Sequence, residues 1–185
     1  MTDDLLAQIH ALHDELQRRM RERFHRDLPF DELVFDRWDR ARRLGFGDGA
    51  SVYHNSYVMG DVKVGDATWV GPFVMLDGTH APIEIGHHCS ISTGVQVYTH
   101  DTVKWALSGG TPTFDVGPVC IGDCTYIGSQ SVVVRGVSIG DHCVVGAHSL
   151  VNRDIEPYSV ALGVPARVRG RVAISADGDI ELDLD

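Results

Sequence analysis

No stretch of this 185-residue chain approaches the roughly 18 consecutive apolar residues that a membrane-crossing helix needs. The opening Met1, Thr2, Asp3 and Asp4 lack the cationic start and apolar centre of a secretion signal, so no membrane span and a cytoplasmic location are expected. Cysteine is scarce. Cys89, Cys120, Cys124 and Cys143 form one CxxxC and no CxxC pair, which removes zinc-finger spacing and points to reduced thiols. Positive charge is missing over a long interval: between Leu44 and Val134 only Lys63 and Lys104 are cationic, and the net charge is -10. That balance argues against nucleic acid as a partner. Arg135, Arg153, Arg167, Arg169 and Arg171 gather late in the chain, where a polyanionic ligand would be drawn.

What the chain has instead is a beat of six. An aliphatic residue returns at Val52, Val58, Val64, Val70 and Leu76, then at Ile85, Ile91 and Val97, then at Ile121, Ile127, Val133, Ile139, Val145 and Val151. Gly often follows, and a small or branched residue comes four positions after, as at Thr125, Ser131, Cys143 and Ser149. Six is neither the helical nor the strand period; it marks a solenoid whose short strands stack their aliphatics inside. Three such hexads would close an 18-residue triangular coil, and roughly seven coils would stack about 4.8 Å apart. A Gly after the aliphatic suits a corner needing positive φ or close backbone approach.

The beat breaks twice. Three residues are inserted near Asp77, Gly78, Thr79 and His80, and residues 101–117 carry Trp105 and Phe114 but no aliphatic-Gly pair. Inserts in a solenoid leave it as loops, and loops on a rigid scaffold gather binding groups. Residues 1–49 read as a helical segment: Leu5, Ile9, Leu12, Leu16, Met20 and Phe24 recur at helical steps, Pro29 interrupts, and a second piece runs from Asp31 to Leu44 with Gly45 as its C-cap. The solenoid then occupies residues 50–171, and 172–185 form an acidic tail, an edge strand or disordered.

The repeated [ILV]-Gly-x-x-small-x pattern, followed by Gly163-Val164-Pro165-Ala166-Arg167, resembles the hexapeptide-repeat acyltransferases. Within them, the stretch from His100 to Arg167 is most similar to galactoside- and maltose-type and surface-polysaccharide sugar O-acetyltransferases. The resemblance implies an all-β fold, a left-handed parallel β-helix with an N-terminal helical segment. It also implies a homotrimer with sites between subunits and acetyl-CoA as co-substrate, with no metal. A nucleotide-linked or cell-envelope sugar would be the acceptor. By the same resemblance, His100, in Tyr98-Thr99-His100-Asp101 ahead of the restart Pro118-Val119-Cys120-Ile121-Gly122, is the catalytic base. Ser129, Ala147, Asn152, Arg153 and Arg167 are the coenzyme-binding positions, and a backbone N–H near Gly128 and Ser129 would hold the oxyanion. Asp77, His80 and Trp105 are expected at the acceptor, and Glu84 could orient His100.

Three other functions compete. An amino-sugar N-acetyltransferase would use the same base. Gamma-class carbonic anhydrases share the solenoid and bind zinc through three His. Here, however, His142 and His148 are one beat apart and would occupy equivalent points on successive faces instead of converging. A non-catalytic scaffold would need no site at all.

Overall fold

A computed structural model describes residues 3–111 and 113–184. The first two positions of the expected helix, Pro112 of the expected loop and the last position of the tail lie outside the described residues.

Short parallel strands stack on three faces, and their register is the sequence beat. On the first face Val52 pairs with Val70, then in turn Ile91, Ile127, Val145 and Ala161. On the second, Val58, Leu76, Val97, Val133 and Val151 align. On the third the column is Val64, Ile85, Ile121, Ile139 and Ile155. With the exception of Val58, which is partly buried, these residues are buried and share one core. Each contributes about 1.5–3 kcal/mol by leaving water. Six rungs on one face and five on the others replace the roughly seven coils expected from length. The difference went into the insert after His100 and into a closing antiparallel hairpin, Arg167–Ile174 with Ile180–Leu184. The last coil is also short, so Ile155, only four residues after Val151 where the beat expects a small or branched residue, takes the aliphatic place opposite Ile139.

The two recurrent small positions have separate physical reasons. None of the glycines directly after an inward aliphatic of the beat, from Gly65 to Gly146, has positive φ; a Cβ there would meet the next coil, its backbone at every one but Gly146, where it would meet the Leu162 side chain. At Gly128 it would lie 2.5 Å from the Ala147 nitrogen, and at Gly65 2.7 Å from the Gly86 carbonyl carbon. Close approach is therefore their role, and the positive φ falls two residues later, at Ala67, His88, Cys124, Gln130, His142 and His148. The small residue four after the aliphatic is a hydrogen-bond relay between coils. Ser131 Oγ donates to the Gly146 carbonyl (2.9 Å) and accepts from the Ser149 amide (3.2 Å). Thr125 does the same with Gly140 and the Cys143 amide. Ser131→Ala would leave that buried carbonyl and amide short of a partner, so chemical denaturation is expected to show a loss of about 1–3 kcal/mol. An unchanged midpoint would show the relay to be incidental.

Helices α1 (Asp3–Phe24), α2 (Phe30–Val34) and α3 (Arg37–Arg43) precede the coil. The all-β description thus applies to the coil and not to the whole chain. The second helical piece is broken in two, because Asp36 ends one run and caps the next, accepting from the Trp38 and Asp39 amides at 2.8 and 2.9 Å. Ala41 and Phe46 join the coil's core, so α3 closes its first end. No described helix is long and apolar enough to cross a membrane. All four cysteines are free; Cys89 and Cys143 point inward, and burial pushes their thiols up.

Candidate active site

The insert after His100 leaves the coil at the corner between the second and third faces. His100–Asp101 pairs antiparallel with Asp115–Val116, and the loop between carries a fourth helix, α4 (Val103–Leu107). Its root is tied to the coil twice. Buried Thr99 donates from its amide (3.2 Å) and hydroxyl (2.8 Å) to the Asp77 carbonyl of the preceding coil, and the Gly117 amide donates to the Thr99 carbonyl at 2.9 Å. On the outside, Arg135 bridges Asp101 (2.6 Å) and Asp115 (3.1 Å), and Lys104 adds a second cation to Asp115 at 2.7 Å. The Arg135 guanidinium holds the Asp101 carboxyl below the usual carboxylate range. A depressed carboxylate stabilises above its unfolded pKa, about 3.9, and that support disappears only as pH falls through the lower folded value. The anchor is therefore in place at neutral pH.

Three predicted residues come together at this root. His100 Nδ1 lies 4.0 Å from Asp77 Oδ2. Asp77 is 8% exposed, and its other oxygen accepts from the Thr79 amide (3.1 Å) and hydroxyl (2.6 Å), which fixes the carboxylate's direction. The His80 ring tilts over His100 with centroids 4.2 Å apart. His100 Nδ1 is buried without a hydrogen-bond partner, yet its side chain remains 19% exposed, so the ring is open to solvent elsewhere. Tyr98, in register with Asp77, has its phenol pushed up by burial and then by the Asp77 charge.

Other expectations are displaced. Trp105 sits on α4, 45% exposed, and the aromatic beside the His pair is Phe114, edge-on to His80 at 5.4 Å and 6.3 Å from His100. Nothing in the one-dimensional pattern separates these two aromatics; the hairpin pairing does. Glu84 does not orient His100: it lies on the third face, paired with Lys63 at 3.0 Å, and Asp77 holds the place facing the imidazole. His142 and His148 occupy two corner positions of positive φ, the first stacked on Tyr158, and do not converge. Among the described residues no group of three or more His, Cys, Asp or Glu could hold a metal.

The positions expected to bind coenzyme divide between two corners of the chain. Ser129 and Ala147 are equivalent corner residues of successive coils, since Ile127 pairs with Val145, and they stand between the first and second faces. The Gly128 amide is already spent on the Val145 carbonyl at 2.8 Å. Asn152 and Arg153 follow the second face at the other corner, above Arg135, and the Arg167 guanidinium reaches Asn152 Oδ1 at 3.4 Å.

This geometry agrees with known proteins. The family described as "Bacterial transferase hexapeptide (six repeats)" matches residues 119–153. A hexapeptide-repeat-containing acetyltransferase of Vibrio cholerae, solved in complex with acetyl-coenzyme A, superimposes with a TM-score of 0.56 at 27% identity, covering 90% of this chain and 88% of that one. Over its coil this chain is similar to the hexapeptide-repeat acetyltransferases. Among curated relatives, the galactoside O-acetyltransferase of Escherichia coli is 36% identical over 107 residues, 58% of this chain and 42% of that protein. The chloramphenicol acetyltransferase of Agrobacterium fabrum is 26% identical over 157 residues, 75% of this chain and 72% of that protein. The chain thus spans less than half the length of the Escherichia coli relative and about three quarters of the Agrobacterium one.

Proposed function

We propose that this protein transfers an acetyl group from acetyl-CoA directly to a sugar hydroxyl, with His100 as general base. The observation that carries the reading is the His100–Asp77 pair, a part-exposed imidazole whose buried nitrogen faces an oriented carboxylate at 4.0 Å. Asp77 favours the tautomer with hydrogen on Nδ1, which leaves the Nε2 lone pair for the acceptor's proton. An alcohol is almost wholly protonated at neutral pH, so removing that proton during attack is the difficult part of the step. The acceptor O–H proton passes to Nε2 as its oxygen bonds to the thioester carbonyl carbon. The oxyanion then collapses, the carbon–sulfur bond breaks, and Nε2 returns the proton to the departing sulfur. No covalent enzyme intermediate is required.

The oxyanion donor of this reading is the Ser129 N–H, because Gly128 spends its own within the coil. Ser129 and Ala147 let the pantetheine arm approach the backbone, and Asn152, Arg153 and Arg167 meet the phosphates. Ser129 and Ala147 stand at a different corner of one chain from His100, while Asn152 and Arg153 stand at its own corner further along the coil. A homotrimer of left-handed coils, with each site shared by two subunits, is the assembly that would bring a corner of each kind into one cleft. Asp77 and His80 face the acceptor, with Phe114 as the aromatic wall in place of Trp105. A cytoplasmic enzyme acting on a nucleotide-linked or cell-envelope sugar is consistent with all of this.

A second reading takes a hydroxylated non-sugar acceptor, and the longer coverage of the chloramphenicol acetyltransferase favours it over an amino-sugar N-transfer. Thiol release from acetyl-CoA, followed with a panel of galactosides, nucleotide sugars, amino sugars and chloramphenicol, separates the three. Turnover is expected with neutral sugar hydroxyls. Release confined to chloramphenicol or to amino sugars overturns the acceptor class, and no release with any acceptor overturns the enzyme.

A further inference from the structure

Among the described residues, buried side-chain nitrogens without a hydrogen-bond partner occur in two places. One is His100 Nδ1, at the candidate catalytic centre. The others, Arg37 Nε and both ring nitrogens of His54, lie where α2 and α3 meet the first coil. Orphaned buried polar groups are rare in native proteins and call for an explanation. A cleft of roughly 550 Å³, within the range of small-molecule sites, is lined by Arg37, with His54 behind its Phe35 and Tyr53 walls. Its walls include Phe24, Phe35, Trp38 and Tyr53, and the Phe35 ring lies 5.4 Å from that of His54.

The charges in the cleft are not balanced. Arg23, Arg26 and Arg37 line it against Glu32 and Asp36. Both carboxylates already serve backbone donors: Glu32 accepts from the His54 and Asn55 amides, and Asp36 caps α3. The arginines are less committed. Arg37 gives one amino group to the Tyr53 hydroxyl at 2.7 Å and lies 4.2 Å over the Trp38 ring, which holds its planar fork in place. In a chain of net charge -10, a cationic cleft with aromatic walls is a local exception.

We propose that this cleft is a second ligand site, for a small aromatic anion whose carboxylate or phosphate is held by Arg37 and whose ring packs on Trp38 and Phe35. A guanidinium presents a fork that matches two oxygens, and a flat apolar body gains from aromatic walls that would otherwise stay wet. The site rests on none of the residues assigned to acetyl transfer.

Ligand-observed NMR titration of the full-length protein with benzoate, phenyl phosphate, benzyl alcohol and inorganic phosphate tests it. Saturable binding of benzoate or phenyl phosphate is expected, and whichever is tighter identifies the anionic group. Arg37→Ala should weaken it about tenfold or more, as losing a charge-assisted hydrogen bond implies. Arg37→Lys and Trp38→Ala carry the same test should the alanine variant fail to fold, and His100→Ala should bind normally. The proposal is overturned if neither aromatic anion saturates, or if benzyl alcohol or inorganic phosphate binds as tightly. It is equally overturned if the Arg37→Lys and Trp38→Ala proteins bind like the unaltered one, or if His100→Ala also abolishes binding.

Discussion

His100→Ala is expected to lower turnover by about 100-fold or more, the usual consequence of removing a general base, while the protein stays folded. A factor of 100 corresponds to about 2.7 kcal/mol of transition-state stabilisation. Stability should change little, because the ring makes no hydrogen bond through its buried nitrogen and stands at the loop root, outside the core. The KM for acetyl-CoA should hold as well, since the proposed coenzyme residues Ser129 and Ala147 occupy another corner. The decisive measurement is kcat with the best acceptor, alongside a thermal melt. Turnover within a few-fold of the unaltered protein would remove His100 from the chemistry, and a collapsed melt would assign it a structural role instead.

Gly128→Ala is expected to act on the coil itself. Its Cβ would sit 2.5 Å from the Ala147 nitrogen, and the obstacle is backbone, which cannot rotate away as a side chain can. The neighbouring strands must then separate, which breaks the bond from the Gly128 amide to the Val145 carbonyl and strains the stacked Ile127 and Val145. Overpacking usually costs 1–3 kcal/mol, and here the upper end, about 3 kcal/mol, applies. In a chain of this size that lowers Tm by roughly 6–12 °C. Ala147→Gly in the same chain should not restore it, because the clash is with the nitrogen and not with the alanine methyl. Differential scanning calorimetry of the single and double variants checks both statements; an unchanged Tm would mean that the coil spacing yields more readily than its geometry indicates.

The coil was readable in one dimension because each hexad repeats the same physical demand. Ile121, Ile127 and Val133 must face inward on successive faces, and no helix or lone strand meets a period of six. The corner glycines were readable only as a pair of alternatives; the structure selects close approach and moves the positive φ to residues such as Gln130 and His142. At the site, Asp77, His80 and His100 were legible because both inserts interrupt the beat there, and inserts leave a solenoid at its corners. Their mutual geometry was not. Asp77 was expected at the acceptor and Glu84 at the imidazole, and the parallel register of the second face brings Asp77 to the imidazole as well, beside Tyr98 and two residues before His100, while Glu84 stays on the third face. Phe114 was hidden for the same reason, since only the antiparallel pairing of Asp115–Val116 with His100–Asp101 folds it back over the two imidazoles.

The sequence by itself determined the repeating unit, the inward residues, the two interruptions and the scarcity of cations between Leu44 and Val134, because each is a local property of spacing or charge. Only the tertiary structure decided which carboxylate faces His100, that Ser129 and Ala147 lie at another corner of the same chain, and that α1–α3 line a cationic aromatic cleft. Those are contacts between segments far apart in the chain, and a periodic pattern specifies which way a residue points without specifying what it meets.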